Sequence, residues 1–282
     1  MIEVTGLHIY PVKSLQGISL KSAVLGVRGL QHDRMWMVID ENDCFVTQRE
    51  IPVMATVKVS LSDDALILEH STQEPLQVPF LRSDSVQREV TVWNDQCLAH
   101  DEGAEASAWL KSVLKPDESG ELRLVRFHED HIRSVDPEKL RGEDSHTGFA
   151  DGFPFLITSG ESLAHLNDSL ASNRAARITM DRFRPNIVLH GVTPFQEDDI
   201  DTLVVRDGRY HLGLRKPCQR CSITTINQQT GDKKNPKEPL KTLTLMKTQR
   251  DSRGAFFGQN STLLAGEGEV IKVGDELEIG SN

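Results

Sequence analysis

Two cysteines, Cys218 and Cys221, stand three residues apart in the stretch Lys216-Pro217-Cys218-Gln219-Arg220-Cys221-Ser222-Ile223-Thr224-Thr225, with Arg215, Lys216 and Arg220 as fixed cations around them. A cationic neighbourhood favours thiolate over thiol, and thiolate is the form that attacks electrophiles or binds a soft metal. Pro217 stiffens the approach, and the run Ser222-Ile223-Thr224-Thr225-Ile226 reads as a strand at the exit. The expectation is a rigid, reactive loop mounted on a sheet. Three other readings compete with it. Structural zinc needs two more ligands, and the nearest histidines, His190 and His211, lack knuckle spacing. A thioredoxin-like disulfide belongs at a helix N-terminus rather than before a β-branched run. Two small buried hydrophobes would not be set among charges.

The chain must supply elements that position such a loop. With 282 residues, 38% hydrophobic and 26% charged, it has the make-up of a globular protein able to bury a sizeable core. Its 32 basic and 42 acidic residues give a net charge of -10, which argues against a general nucleic-acid or acidic-membrane surface. Any polyanionic ligand must therefore meet a local basic pocket. No apolar stretch approaches the roughly 18 residues that span a bilayer, and Met1 leads straight into a strand pattern without a signal peptide, so the expected location is cytoplasmic. Cys44 and Cys97 are isolated, fit a reducing compartment and read as core residues.

Along the chain, Ile2, Val4, Leu7 and Ile9 alternate and stop at Pro11, predicting a strand over 2–12 and a turn that places Lys13 and Ser14 on a loop. Ile18 to Val24 predicts another strand, and residues 36–39 and 44–47 flank Asp40-Glu41-Asn42-Asp43 as a hairpin. Short strands at 55–59, 66–68 and 89–93 have the texture of a small barrel or sandwich, and residues 102–114 form the first helix. A boundary near residue 120 divides the chain, with a strand at 122–125 opening the second half. The charged, aperiodic residues 128–147 read as a mobile loop over a site. A buried strand at 153–157 leads to Thr158-Ser159, a helix cap whose free N–H groups could cradle an anion. Strands follow at 185–189, 203–205 and 210–212, then a helix over 239–247 and a closing hairpin between 269–273 and 276–279.

Five ordered motifs resemble the MOSC proteins, in particular the YcbX-like and mitochondrial amidoxime-reducing-component-like molybdenum enzymes. They are Ile9-Tyr10-Pro11-Val12-Lys13-Ser14, Gly29-Leu30-x-x-Asp33-Arg34, Phe183-Arg184-Pro185-Asn186-Ile187-Val188, Lys216-Pro217-Cys218-x-Arg220-Cys221 and Phe257-Gly258-Gln259-Asn260. The resemblance runs from about residue 2 to 279. It implies a mainly β fold with a few helices, in which an N-terminal MOSC β-barrel domain (1–120) joins a C-terminal MOSC β-barrel domain (121–282) with a molybdenum cofactor (Mo-molybdopterin) in the cleft between them. By resemblance the metal-binding cysteine falls on Cys221. The cofactor contacts fall on Lys13, Ser14, Arg34, Thr158, Ser159, Arg184, Asn186 and Arg220. Asp151 is a candidate proton donor near the cleft. These residue types suit the ligand, since its phosphate wants Lys, Arg and free N–H groups and its metal wants soft sulfur.

The implied activity is reduction of small N-hydroxylated compounds, such as hydroxylaminopurines, amidoximes and hydroxylamines, to amines or amidines, which would detoxify N-hydroxylated base analogues. A carrier of cofactor or sulfur without turnover is the alternative. YcbX-like proteins often continue into a ferredoxin domain, whereas no cysteine follows Cys221 here. Either the chain is a short form that takes electrons from a separate flavin reductase or ferredoxin-like protein, or it is a truncated form from which such a domain was removed.

Overall fold

Burial along Ile2–Ile9 alternates, but the inward set switches from Ile2 and Val4 to Leu7 and Ile9. The switch coincides with a register shift between Val4 and Gly6 opposite Ile187–His190. A bulge of this kind bends a strand, and bending is what a small barrel needs. The computed structural model describes residues 1–81, 86–114, 120–249 and 253–280. In it, Ile2–Ile9 pairs on one side with Ile187–His190 and on the other with Glu276–Ile279, which closes seven strands of an eight-stranded sheet into a ring and leaves Ile18–Leu20 as the appended eighth. Leu7, Ile157, Leu189, Leu203 and Leu212 fill the barrel from within. One pair in the ring is parallel, Phe155–Ser159 beside Ile187–His190. Parallel neighbours need a crossover, supplied by the Gly160–Ser172 helix.

From Trp36 onward the first half forms a second body, while Ser22–Gly26 and Gly29–Leu30 stay with the barrel. Trp36–Asp40, Leu122–Phe127, Asp95–Asp101 and Val86–Val92 make a four-stranded sheet, and Lys58–Leu61, Ala65–His70 and Gln73–Pro79 make a three-stranded one. The Ala104–Leu114 helix buries Trp109, Leu110, Val113 and Leu114 in a core shared with Val38, Leu66 and Leu68. The fold is mainly β with a few helices, as expected. Among the described residues no helix is long and apolar enough to cross a membrane.

Several local expectations are corrected. Leu122–Phe127, expected to open the second half, pairs with Trp36–Asp40 and Asp95–Asp101 of the first. Conversely Ile2–Ile9 belongs to the barrel built by the second half; the chain touches the other body at Tyr10–Ser14, returns to the barrel side over residues 18–30, and crosses again before Trp36 and after Phe127. The closing hairpin does not form: Val270–Lys272 pairs with Ser22–Gly26, while Glu276–Ile279 pairs with Thr202–Val205 and Ile2–Ile9. Residues 128–147 are tied down rather than loose, because buried Arg133 binds Asp95 at 2.7 Å and the carbonyls of Gly148 and Ala150 at 2.9 and 2.5 Å. Residues 216–219 end the His211–Gln219 strand instead of forming a loop, and Ser222–Thr225 is a 3-10 turn rather than a strand.

Candidate functional site

Where the chain leaves the barrel at Tyr10–Ser14 it runs under residues from both bodies, and a cavity of about 120 Å³ opens there. Its walls include Lys13, Ser14, Arg34, Asp151, Arg184, Asn186, Cys218, Arg220 and Cys221. Residues separated by some 200 positions in sequence are thus brought together. Four wall residues other than glycine, Ser14, Arg34, Trp93 and Arg184, hold left-handed backbone with φ of 69°, 49°, 57° and 55°. That conformation costs energy for a side chain with a Cβ, and such costs gather where function fixes the geometry.

Lys13 lies almost fully buried in the floor. Its Nζ donates to the Phe149 carbonyl at 2.8 Å and to Asp151 Oδ1 at 2.5 Å. Burial pulls the Lys13 ammonium below its usual range, opposed by the Asp151 carboxylate. Desolvation by the neighbouring wall would push Asp151 up, but the Lys13 charge and hydrogen bonds from Lys13 and Trp93 outweigh it and hold the carboxyl well below the ordinary range. Asp151 is therefore ionised at neutral pH and ill suited to give up a proton; it orients Lys13. Its side chain is 71% exposed at the mouth, so water screens the pair.

Two guanidinium groups lie against one ring: the Cζ atoms of Arg34 and Arg184 sit 4.3 and 4.2 Å from the Tyr10 centroid. Burial drives Tyr10 up to about 12 despite both cations. Burial, followed by repulsion from Arg34, brings Arg184 down to about 10. Arg34 is spent on the chain, donating to Asp33 at 2.6 Å, to Asn186 Oδ1 at 3.1 Å and to the Arg184 carbonyl at 3.0 Å. Asn186 in turn accepts from Leu156 N at 3.1 Å and donates to the His8 carbonyl at 3.2 Å, stitching the wall to the barrel. Arg184 is not spent. Its Nη1 reaches the Leu15 carbonyl at 2.7 Å, but its buried Nη2 has no partner.

The cysteines enter from the end of the His211–Gln219 strand, where the register slips between Pro217 and Gln219. Arg220 Nη1 donates to Cys218 Sγ at 2.8 Å and Nη2 to the Phe183 carbonyl at 2.7 Å, while its buried Nε has no partner. The cation beside a thiol is thus Arg220, and the thiol it touches is Cys218. Cys221, at the start of the 3-10 turn, is the exposed thiol. Arg215 does not join them: it turns to Glu143 and to Asp201 at 3.0 Å, and Lys216 is exposed.

Thr158 and Ser159 are buried and do not line the cavity. Thr158 Oγ1 donates to Met180 Sδ at 3.4 Å. Ser159 caps the helix as expected, accepting from Ser162 N at 3.1 Å, but the Glu197 carboxylate fills the cradle through Ser159 at 3.1 Å and Ser162 at 2.7 Å. The wall also contains Thr47, Arg49, Trp93 and Asn260. Asn260 lies in one of the five motifs; the other three carry no local signal. The arrangement combines unspent guanidinium donors, a buried ammonium and a soft sulfur, which suits a ligand that bears a phosphate and a thiophilic metal.

The profile of the MOSC N-terminal beta barrel domain matches residues 1–117, and that of the MOSC domain matches residues 144–278. This chain belongs to the MOSC family. Among its MOSC relatives, mitochondrial amidoxime reducing component 2 of Bos taurus is 34% identical over 251 residues, covering 86% of this chain and 72% of the relative. Mitochondrial amidoxime-reducing component 1 of Homo sapiens is 32% identical over 288 residues, covering 97% and 82%. A molybdenum cofactor sulfurase of Oryza sativa subsp. japonica is 29% identical over 297 residues, covering 99% of this MOSC chain but 35% of the relative.

Proposed function

We propose that this chain binds a molybdenum cofactor in the cleft and reduces N-hydroxylated compounds, R-NHOH + 2 e⁻ + 2 H⁺ giving R-NH₂ + H₂O. The observation that carries the reading is the pair of unspent buried donors, Arg184 Nη2 and Arg220 Nε, in the wall that also presents the exposed Cys221 thiol. A buried donor without a partner costs about 1–3 kcal/mol, a cost that an anionic ligand removes. Relatives named for amidoxime reduction and for molybdenum-cofactor sulfuration support a molybdenum-related function.

In this reading Arg184 and Arg220 hold phosphate and pterin edges, whose planar geometry suits guanidinium forks. Lys13 adds a point charge that Asp151 fixes in place. Arg34 and Asn186 act at one remove, bracing the Arg184 backbone and the barrel edge. Cys221 supplies the thiolate ligand, and Cys218 holds Arg220. When bound, the cofactor supplies the two-electron chemistry that cleaves the N–O bond. The electrons come from a separate carrier, and the protons from water, because Asp151 is already ionised.

A second reading, a carrier of cofactor or sulfur without turnover, is favoured by the exposure of Cys221. One assay separates them: cofactor-loaded protein with a dithionite-reduced dye and an N-hydroxylated purine. Formation of the amine with consumption of two electrons per product is the expected result. Retained molybdenum without product would establish the carrier instead.

A further inference from the structure

A chain of net charge -10 carries five exposed lysines within fifteen residues beside the cleft, Lys233, Lys234, Lys237, Lys241 and Lys247, with Glu238 as the one acidic residue among them. The lysine ion pairs among the described residues belong to Lys13 and Lys139, so these five cations face solvent without carboxylates of their own. The group adjoins the cleft at two points. Lys233 Nζ donates to the carbonyl of Arg49, a wall residue, at 3.3 Å. The Leu240–Met246 helix packs against the Ser222–Thr225 turn that follows Cys221.

The lysine face also has an apolar centre. Lys241 N donates to the Lys237 carbonyl at 2.9 Å, so Lys237, Lys241 and Leu245 follow one another at one-turn spacing. Leu245 is 63% exposed among them, while its neighbours Thr242 and Leu243 are buried. A small apolar spot rimmed by one sign of charge suits a brief encounter, in which long-range attraction raises the arrival rate and little buried area lets the partner leave. A nucleic acid would use the lysines but has less use for Leu245, and the acidic remainder of the surface would repel a long polyanion.

We propose that this face docks an acidic protein electron carrier, an inference that rests on the reductive reading of the cleft. The reduced carrier gives up the two electrons of each turnover in one or two dockings. Those electrons, with two protons from water, convert R-NHOH to R-NH₂ and H₂O.

The test compares cofactor-loaded wild-type protein with Lys237→Glu/Lys241→Glu and, as a control on another surface, Lys139→Glu. The binding probe is an acidic flavodoxin holding FMN, measured at low and at moderate salt beside a duplex DNA of similar charge. The double variant should bind flavodoxin on the order of tenfold more weakly, with a flatter salt dependence and a matching fall in the flavodoxin-driven rate. Its rate with a dithionite-reduced dye should equal wild type, and Lys139→Glu should change nothing. Unaltered flavodoxin binding and rate in the double variant, no flavodoxin binding by wild type, or tighter binding to DNA would each overturn the proposal. Lysine-dependent flavodoxin binding in a protein that fails with the dye would uphold the docking face while removing the reductive reading of the cleft.

Discussion

Two sets of buried arginines meet near the cleft, and they are spent differently. Arg133 and Arg215 have side chains 5% and 4% exposed. Arg133 serves Asp95 and the carbonyls of Gly148, Ala150 and Asp151; Arg215 serves Glu143, Asp201 and neighbouring carbonyls. Both pin residues 128–151 to the two bodies. Arg184 is also largely withdrawn from water and Arg220 is half-buried, yet each keeps a buried N–H without a partner, and both residues line the cavity. Charge and burial alone do not separate scaffold from site. Unused donors separate them only where they share a wall with the cysteines, since Arg28 Nε is also buried without a partner away from the cavity.

The sharpest way to break this contrast is at the cysteines. Cys221→Ala should lose activity on the order of a hundredfold or more and retain molybdenum more weakly, while Cys218→Ala, which only frees Arg220, should be milder. Metal content and dye-driven rate of both variants check it, and equal losses would point to a dithiol site. The arginines come next. Arg215→Ala strands the largely buried Glu143 carboxylate beside Asp201 and should cost about 3 kcal/mol, several degrees in Tm, by thermal melt. Arg184→Ala should leave Tm nearly unchanged in the cofactor-free protein and lower cofactor occupancy. Reversal of those two outcomes would exchange the roles assigned here.

Two carboxylates sharpen the comparison with smaller effects. Burial raises Asp198 to about 7, with only the amides of Gln249 and Gln259 to offset it. The folded state then binds a proton that the unfolded state has released, so wild-type stability falls as pH rises from about 4, the ordinary carboxylate value, to about 7. Asp198→Asn should remove that slope, and its Tm gain over wild type should be greater at pH 8 than at pH 5. Asp151 has the opposite sign. Its carboxyl is held low, so its contribution is present above pH about 4 and fades as pH falls below it. Asp151→Asn should reduce that acid-side loss by about 1 kcal/mol or less, because water screens the exposed Asp151 end of the pair. A steeper acid slope in the variant would remove Lys13 as its partner.

Much of the barrel was legible because its strands alternate. The break within Ile2–Ile9 needed the bulge at Val4 and Gly6 to explain it. Most of the candidate site was legible through five motifs rather than through periodicity. The misreading at Ser222–Thr225 has a local cause: Thr224 and Thr225 hydroxyls donate to the carbonyls of Cys221 and Ser222 at 2.9 and 2.8 Å, offering the backbone a turn where β-branching suggests a strand. Arg49 and Trp93 could not be found in sequence, since only the folded chain stacks them, with Arg49 Cζ 4.6 Å from the Trp93 ring. Thr158 and Ser159 fit an anion cradle in sequence, but Glu197, 38 positions after Ser159, fills it in the fold.

The central claim is that Cys221 presents its sulfur to the metal while Cys218 serves the protein. X-ray absorption at the molybdenum edge, on cofactor-loaded wild type, Cys221→Ser and Cys218→Ser, tests it most directly. The account predicts one fewer molybdenum–sulfur contact in Cys221→Ser and a wild-type spectrum in Cys218→Ser. A lost sulfur in Cys218→Ser, or identical spectra for all three loaded proteins, would contradict it.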